Sequence, residues 1–169
     1  MNHSLAGRSE EEFKDNLGKW TSRAKITAMI VNQFKHKLVR DFGCGHGTIR
    51  DFLMEKDYIG YDSVDILNDD WTEIVDLNEK FPKMIYYYNH IATCTGILEY
   101  IEDVDKFFKN LSEVFSVVVF TYTNAKDTPY VVKKVKLHTF REITKIVREH
   151  YRIVLHSPID EWFFFTAIN

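Results

Sequence analysis

Apolar residues recur along residues 9–36 at near-helical spacing: Phe13, Leu17, Trp20 and Ala24, then Ile26, Met29, Ile30 and Phe34. That period predicts a leading helix, in two pieces if Gly18 or the Thr21 and Ser22 pair interrupts it. The pattern then shortens. An apolar run of Leu38, Val39 and Phe42 ends in Gly43, Gly45 and Gly47, and a helical pattern follows from about Thr48 to Lys56 with Ile49, Phe52 and Leu53 on one face. Residues 58–62 and 73–77 read as short strands, separated by an acidic, loop-like stretch over 63–70. Pro82 closes that unit, and residues 84–95, rich in tyrosine with Ile91 and Ala92, form the fourth strand.

Residues 103–115 return to helix, burying Val104, Phe107, Phe108, Leu111 and Val114. The run Val117-Val-Val-Phe-Thr121 is apolar without alternation and reads as a central strand covered on both faces. Residues 124–138 make a loop of about fifteen residues holding Pro129, and loops of that length are usually functional. Thr139-Phe-Arg-Glu142 is a capping box opening a helix to about His150. Two β runs, 152–156 and 162–168, flank a turn at 157–160 that is too short for a crossover helix, so they are antiparallel. Together these elements predict an α/β fold. Its sheet is doubly wound, mostly parallel and seven-stranded, with one antiparallel strand near the C-terminal edge and helices on both faces.

At 169 residues the chain makes one domain. Its apolar and aromatic content is high enough for a single core, which argues against disorder. A net charge of −3 argues against a general nucleic-acid binder. Cys44 and Cys94 offer neither a disulfide framework nor a metal-binding spacing. The seven histidines lack His-x-x-x-His pairing, so no metal site is expected. Reduced thiols suit the cytoplasm. Residues 1–12 lack the apolar core of a signal peptide, and no stretch approaches ~18 apolar residues, so no membrane partner is expected.

The chemistry concentrates at the glycines. Without a Cβ, such a turn can bend sharply and let its backbone touch a ligand, with the following helix pointing N–H groups at the same spot. The spacing is Gly-x-Gly-x-Gly, not the Gly-x-Gly-x-x-Gly of dinucleotide folds. Asp41 stands two residues before it, where a carboxylate can accept from an ammonium group. Asp62, 62 − 43 = 19 residues past Gly43, ends the second strand, where an acid takes both hydroxyls of a ribose.

Together these residues resemble the class I S-adenosylmethionine-dependent methyltransferases. The resemblance extends over residues 35–169, and Thr95-Gly-Ile-Leu-Glu-Tyr-Ile101 is similar to the family's motif after the fourth strand. One departure is His90, where the family tends to place Asp. The resemblance implies S-adenosylmethionine as cofactor and S-adenosylhomocysteine as product. It implies a cofactor site of Asp41, Gly43, Cys44, Gly45, Gly47, Asp62, Ser63, Asp76, Leu77, Thr95 and Gly96. Asp76 would accept from the adenine amino group and Leu77 would offer its N–H to the ring, with Ile66 and Leu67 within reach. The alternative for Asp76 or Asn78 is a helix N-cap. Residues 1–34 would be a helical lid on a 35–169 core, with Trp20 and Arg23 lining the site; otherwise Trp20 is core and Arg23 is solvated. Cys44 is most simply a small residue.

Base candidates are His138, Glu99, Tyr100 and His156. His138 precedes a helix N-terminus, which disfavours imidazolium and keeps a neutral base available. Charge is unevenly divided. Residues 126–152 carry eight Lys/Arg against three acids, whereas acids outnumber bases fifteen to five over 51–113. Lys133, Lys134 and Lys136 fall in the long loop, where they would favour an anionic acceptor. The expected function is therefore methyl transfer to an oxygen or nitrogen of a small metabolite such as a phosphorylated sugar or surface-polysaccharide precursor, in a monomer or homodimer. The rivals are a non-catalytic cofactor-binding subunit and a nucleic-acid methyltransferase, although the Asn/Asp-Pro-Pro-Tyr/Phe and Pro-Cys motifs of the latter are missing.

Overall fold

A computed structural model describes residues 10–62, 70–83, 89–123, 138–159 and 162–169, with side chains from Gly18 onward. Helix α1 (Glu10–Val31) is continuous, not two pieces. Gly18 costs a helix interior about 1 kcal/mol. The break does not occur because the following turns are anchored: Ala24, Thr27, Ala28 and Val31 are buried on one face against the sheet. The second half of α1 is thus part of the core, and residues 1–9 of the expected lid lie outside the described residues.

Seven strands follow: β1 (Leu38–Phe42), β2 (Asp57–Asp62), β3 (Thr72–Ile74), β4 (His90–Thr95), β5 (Val117–Thr123), β6 (Ile153–Ile159) and β7 (Trp162–Ile168). They form one sheet in the order β3-β2-β1-β4-β5-β7-β6. The β1–β2, β1–β4, β2–β3 and β4–β5 pairs are parallel, and β7 runs antiparallel to both β5 and β6. The doubly wound sheet with a single reversed strand is therefore observed. Every residue of β5 is buried, as its unbroken apolar run requires.

Each face has its own core. Ala28 and Val31 of α1 pack with Val39, Ile49, Ile91 and Val119 on one side. On the other, helices α2 (Val104–Val114) and α3 (Phe140–His150) bury Phe107, Phe108, Leu111, Ile143 and Val147 against Phe42, Phe120 and Phe165. Asp103 caps α2, and the Thr139–Glu142 capping box of α3 is formed in both directions.

Three elements differ from expectation. After the glycine turn the chain makes only a 3₁₀ helix, Thr48–Phe52. Asp57 must already donate its N–H to the Lys37 carbonyl, and Asn32 holds both the Phe52 carbonyl and the Met54 N–H. That closure leaves no length for a longer helix. Strand β3 stops at Ile74, because Asp76 turns the chain by accepting from the N–H groups of Asn78, Glu79 and Lys80. Strand β6 runs through Ser157 to Ile159, inside the expected turn, its pairing with β7 continuing to Ile159 opposite Trp162. No described helix is long and apolar enough to cross a membrane.

Candidate functional site

Parallel strands bring the ends of β1, β2, β4 and β5 to one edge, where ligands bind in open α/β sheets. The glycine turn after β1 is tied to β2 by its own donors. The Gly43 and Cys44 N–H groups bond the Tyr61 carbonyl, at 2.8 and 3.3 Å, and Gly47 bonds the Cys44 carbonyl at 2.8 Å. The Gly45 N–H donates to Asp62 Oδ2 at 2.9 Å. The donors expected to face a ligand thus hold the turn together. What the turn presents outward is bare backbone. Gly43, Gly45 and Gly47 all have positive φ. A Cβ on Gly43 would strike Ile97 at 2.6 Å, whereas one on Gly45 would meet nothing within 4 Å.

Asp41 is not at the surface of this edge. It is 1% exposed, its Oδ1 accepting from Thr93 at 2.7 Å and its Oδ2 from the Tyr58 hydroxyl at 3.1 Å. A direct contact with an ammonium group is replaced by an internal clamp, because β1 lies between β2 and β4 and both neighbours supply a hydroxyl. Burial pushes the Asp41 carboxyl up to about 6 against the hydrogen bonds that lower it. Cys44 is buried too, and burial raises its thiol to about 12, so it is a protonated packing group and no nucleophile. Its room comes from Gly60, where a Cβ would stand 2.6 Å from the Cys44 sulfur. A glycine inside a strand pattern signals such close approach; Tyr58 and Thr93 gave no comparable sign.

A second turn follows β4. Gly96, at φ 70°, donates its N–H to Thr121 Oγ1 at 3.1 Å. A Cβ there would collide with the Arg23 guanidinium at 2.5 Å. Arg23 reaches this point from α1, with its guanidinium 5.5 Å from the ring centroid of Trp162, the first residue of β7. Its charge acts on both Asp41 and Glu99. Arg23 is therefore at the ligand edge and not simply solvated. Trp20, one turn earlier on α1, is half-buried. Glu99, on the short 3₁₀ helix Leu98–Tyr100, accepts from the side chain and backbone of Thr123, yet its Oε2 is buried without a partner. Burial raises its carboxyl above the ordinary range, opposed by those bonds and by Arg23.

No family model matches the sequence, and no curated protein matches it either. Solved structures do. The small RNA methyltransferase HEN1 superposes with a TM-score of 0.70 at 13% identity, covering 89% of this chain and 25% of that one. A putative O-methyltransferase from Nostoc punctiforme gives 0.69 at 13% identity, covering 88% and 56%. Magnesium protoporphyrin IX methyltransferase from Synechocystis, with bound S-adenosylhomocysteine, gives 0.62 at 12%, covering 96% and 88%. This chain has the class I methyltransferase fold. It spans a quarter of HEN1 and 60% of an O-methyltransferase family protein from Burkholderia thailandensis.

Within the methyltransferase fold the remaining expected residues are dispersed. Asp76 is exposed and serves the turn after β3, while Leu77 packs on the α2–α3 core. Asn78 ties that turn to the Glu99 segment by donating to the Tyr100 carbonyl and accepting from the Glu102 N–H, both at 2.9 Å. Thr95 ends β4 beside Gly96. Tyr100 turns its side chain outward, 45% exposed, which does not suit a base. His156 lies on the outermost strand, edge-on to Phe140, and is not brought to the glycine turns. His138 is only 8% exposed, at the foot of α3, its carbonyl accepting from the Tyr122 hydroxyl. His90 is at the start of β4, its Nδ1 accepting from Arg40 Nε at 3.2 Å. Ser63, Ile66, Leu67, Lys133, Lys134 and Lys136 lie outside the described residues. Trp162 was missed from the sequence, because strand pairing and a helix 139 residues away (162 − 23) place it at the site.

Proposed function

We propose that this chain is an S-adenosylmethionine-dependent methyltransferase acting on an oxygen or nitrogen of a small acceptor. The observation that carries this reading is the pairing at the sheet edge of Gly45, open above its backbone, with Asp62, one of whose carboxylate oxygens already orients on that turn. The residues fit the cofactor. Asp62 would take ribose hydroxyls and the Gly43–Gly47 backbone would lie against the nucleoside. The Thr95–Gly96 turn and the Arg23 guanidinium would meet the amino-acid end, where Arg23 can pair with a carboxylate. By resemblance the Asp76 carboxylate, which also serves its own turn, and the Leu77 N–H would meet the adenine edge. The cofactor supplies a methyl group already activated on a sulfonium, so the protein's task is to hold the acceptor in line, which is worth up to ~7–11 kcal/mol.

The acceptor is a metabolite in this reading, with Lys133, Lys134 and Lys136 favouring an anion such as a phosphorylated sugar or polysaccharide precursor. His138, which follows these lysines in sequence, is a candidate base. Two unpaired, buried cysteines accord with the cytoplasm. The likeness to HEN1 keeps a nucleic-acid acceptor as the second reading. Calorimetry should detect S-adenosylhomocysteine but not NAD, with Asp62→Ala weakening binding roughly 10–100-fold through lost charge-assisted bonds. Wild-type affinity in that variant would sink the assignment. Transfer of labelled methyl to phosphosugars but not to RNA would separate the two acceptor readings.

A further inference from the structure

Three described side chains keep a buried polar atom without a partner: His36, Thr72 and Glu99. Only Glu99 of these stands beside the Gly96 turn, where β4, β5, β7 and α1 converge. A buried oxygen left unpaired costs stability, so a chain that keeps one at a ligand edge calls for a reason. The surroundings fix the carboxyl's orientation. Thr123 at the end of β5 holds it by hydroxyl and backbone, and Arg23 crosses from α1 to Gly96 and the Trp162 ring within electrostatic reach. What this arrangement leaves unmet is the second carboxylate oxygen, Oε2, which no donor reaches.

We propose that Glu99 is the acceptor-binding carboxylate, its unpartnered oxygen taking the O–H or N–H of the group to be methylated; this rests on the methyltransferase reading. The acceptor class is then a hydroxyl or amine still carrying a hydrogen, not a carbon or thioether centre. The step balances. The acceptor's electron pair forms the bond to the methyl carbon, the carbon–sulfur pair returns to sulfur, and the acceptor's proton passes to Glu99. The raised carboxyl suits such a role, since a stronger base accepts the proton more readily.

The test needs no acceptor. An S-adenosylhomocysteine analogue with carbon in place of sulfur and an amine in place of the transferable methyl sets a cationic N–H donor at the transfer position. Calorimetry should show wild-type protein preferring this analogue to S-adenosylhomocysteine by roughly 10–100-fold, the range of a charge-assisted bond. Glu99→Gln should abolish that preference and leave S-adenosylhomocysteine binding unchanged. Absence of the preference in wild type overturns the proposal, as does its survival in Glu99→Gln or an equal loss for both ligands. Should Glu99→Gln fail to fold, the wild-type comparison still decides, and Glu99→Asp, with its charge drawn back, must lose part of the preference. If wild type binds neither compound, the methyltransferase reading itself has failed.

Discussion

Enclosing the Asp41 carboxylate between β2 and β4 has a cost that depends on pH. Its folded value is raised from 3.8 to about 6. Between these values the folded chain holds more protons than the unfolded one, so this group's stabilisation is complete below pH 4 and is lost as pH rises through about 6. A shift of that size corresponds to about 3 kcal/mol. Replacing the carboxylate with an uncharged amide removes the titration. The unfolding free energy of wild type relative to Asp41→Asn should fall by about 2 kcal/mol between pH 4 and pH 7 in denaturant titrations. A difference that stays flat would show that the carboxyl titrates normally. The neighbouring Gly60 is constrained by sterics alone. Gly60→Ala places a carbon 2.6 Å from the Cys44 sulfur and should destabilise by about 1–3 kcal/mol, as overpacking does. Adding Cys44→Ala removes the sulfur but leaves its Cβ, so melting should recover in part. No recovery would mean the strain lies elsewhere.

Helix α1 approaches the sheet through small residues. Ala24, Thr27 and Ala28 recur at three- and four-residue spacing on its buried face, so Ala28→Leu should push the helix away and cost about 1–3 kcal/mol. Because Arg23 lies one turn up the same helix, the variant should also weaken S-adenosylhomocysteine binding, seen by calorimetry on protein that is still folded. Retention of full affinity would separate α1 from the ligand edge. At the other face, Thr139→Ala deletes half of the α3 capping box and should lower stability by about 0.5–2 kcal/mol, read as a shifted denaturation midpoint. These elements were legible beforehand for a local reason. The Thr139 to Glu142 spacing and the amphipathic runs of α2 and α3 state their own geometry. Ile49, Phe52 and Leu53 have the same helical spacing, yet chain closure to Asp57 allowed them only one 3₁₀ turn. The Gly18 interruption failed similarly, overruled by packing one turn later.

Across the whole sheet, protection from exchange should follow the strand order. Strand β5 is buried throughout between β4 and β7, whereas β6 is an edge with most of its side chains exposed. Backbone amides of β5 should exchange last, near the global unfolding limit, and those of β6 well before them; β6 amides outlasting β5 would contradict this order of stability. Sequence by itself determined the alternation of elements, the two glycine turns, the carboxylate ending β2 and the reversed final hairpin. All of these follow from periodicity, from backbone freedom or from loops too short for a crossover. Only tertiary structure decided what Asp41 and Glu99 became. One carboxylate was enclosed by hydroxyls from β2 and β4, and the other was left with a bare oxygen between Thr123 and Arg23. Their surroundings come from residues 17 to 76 positions away (58 − 41 and 99 − 23), which become neighbours only when parallel strands and α1 meet at one edge. A residue's type says which bonds it can make, but the groups that reach it are set by packing.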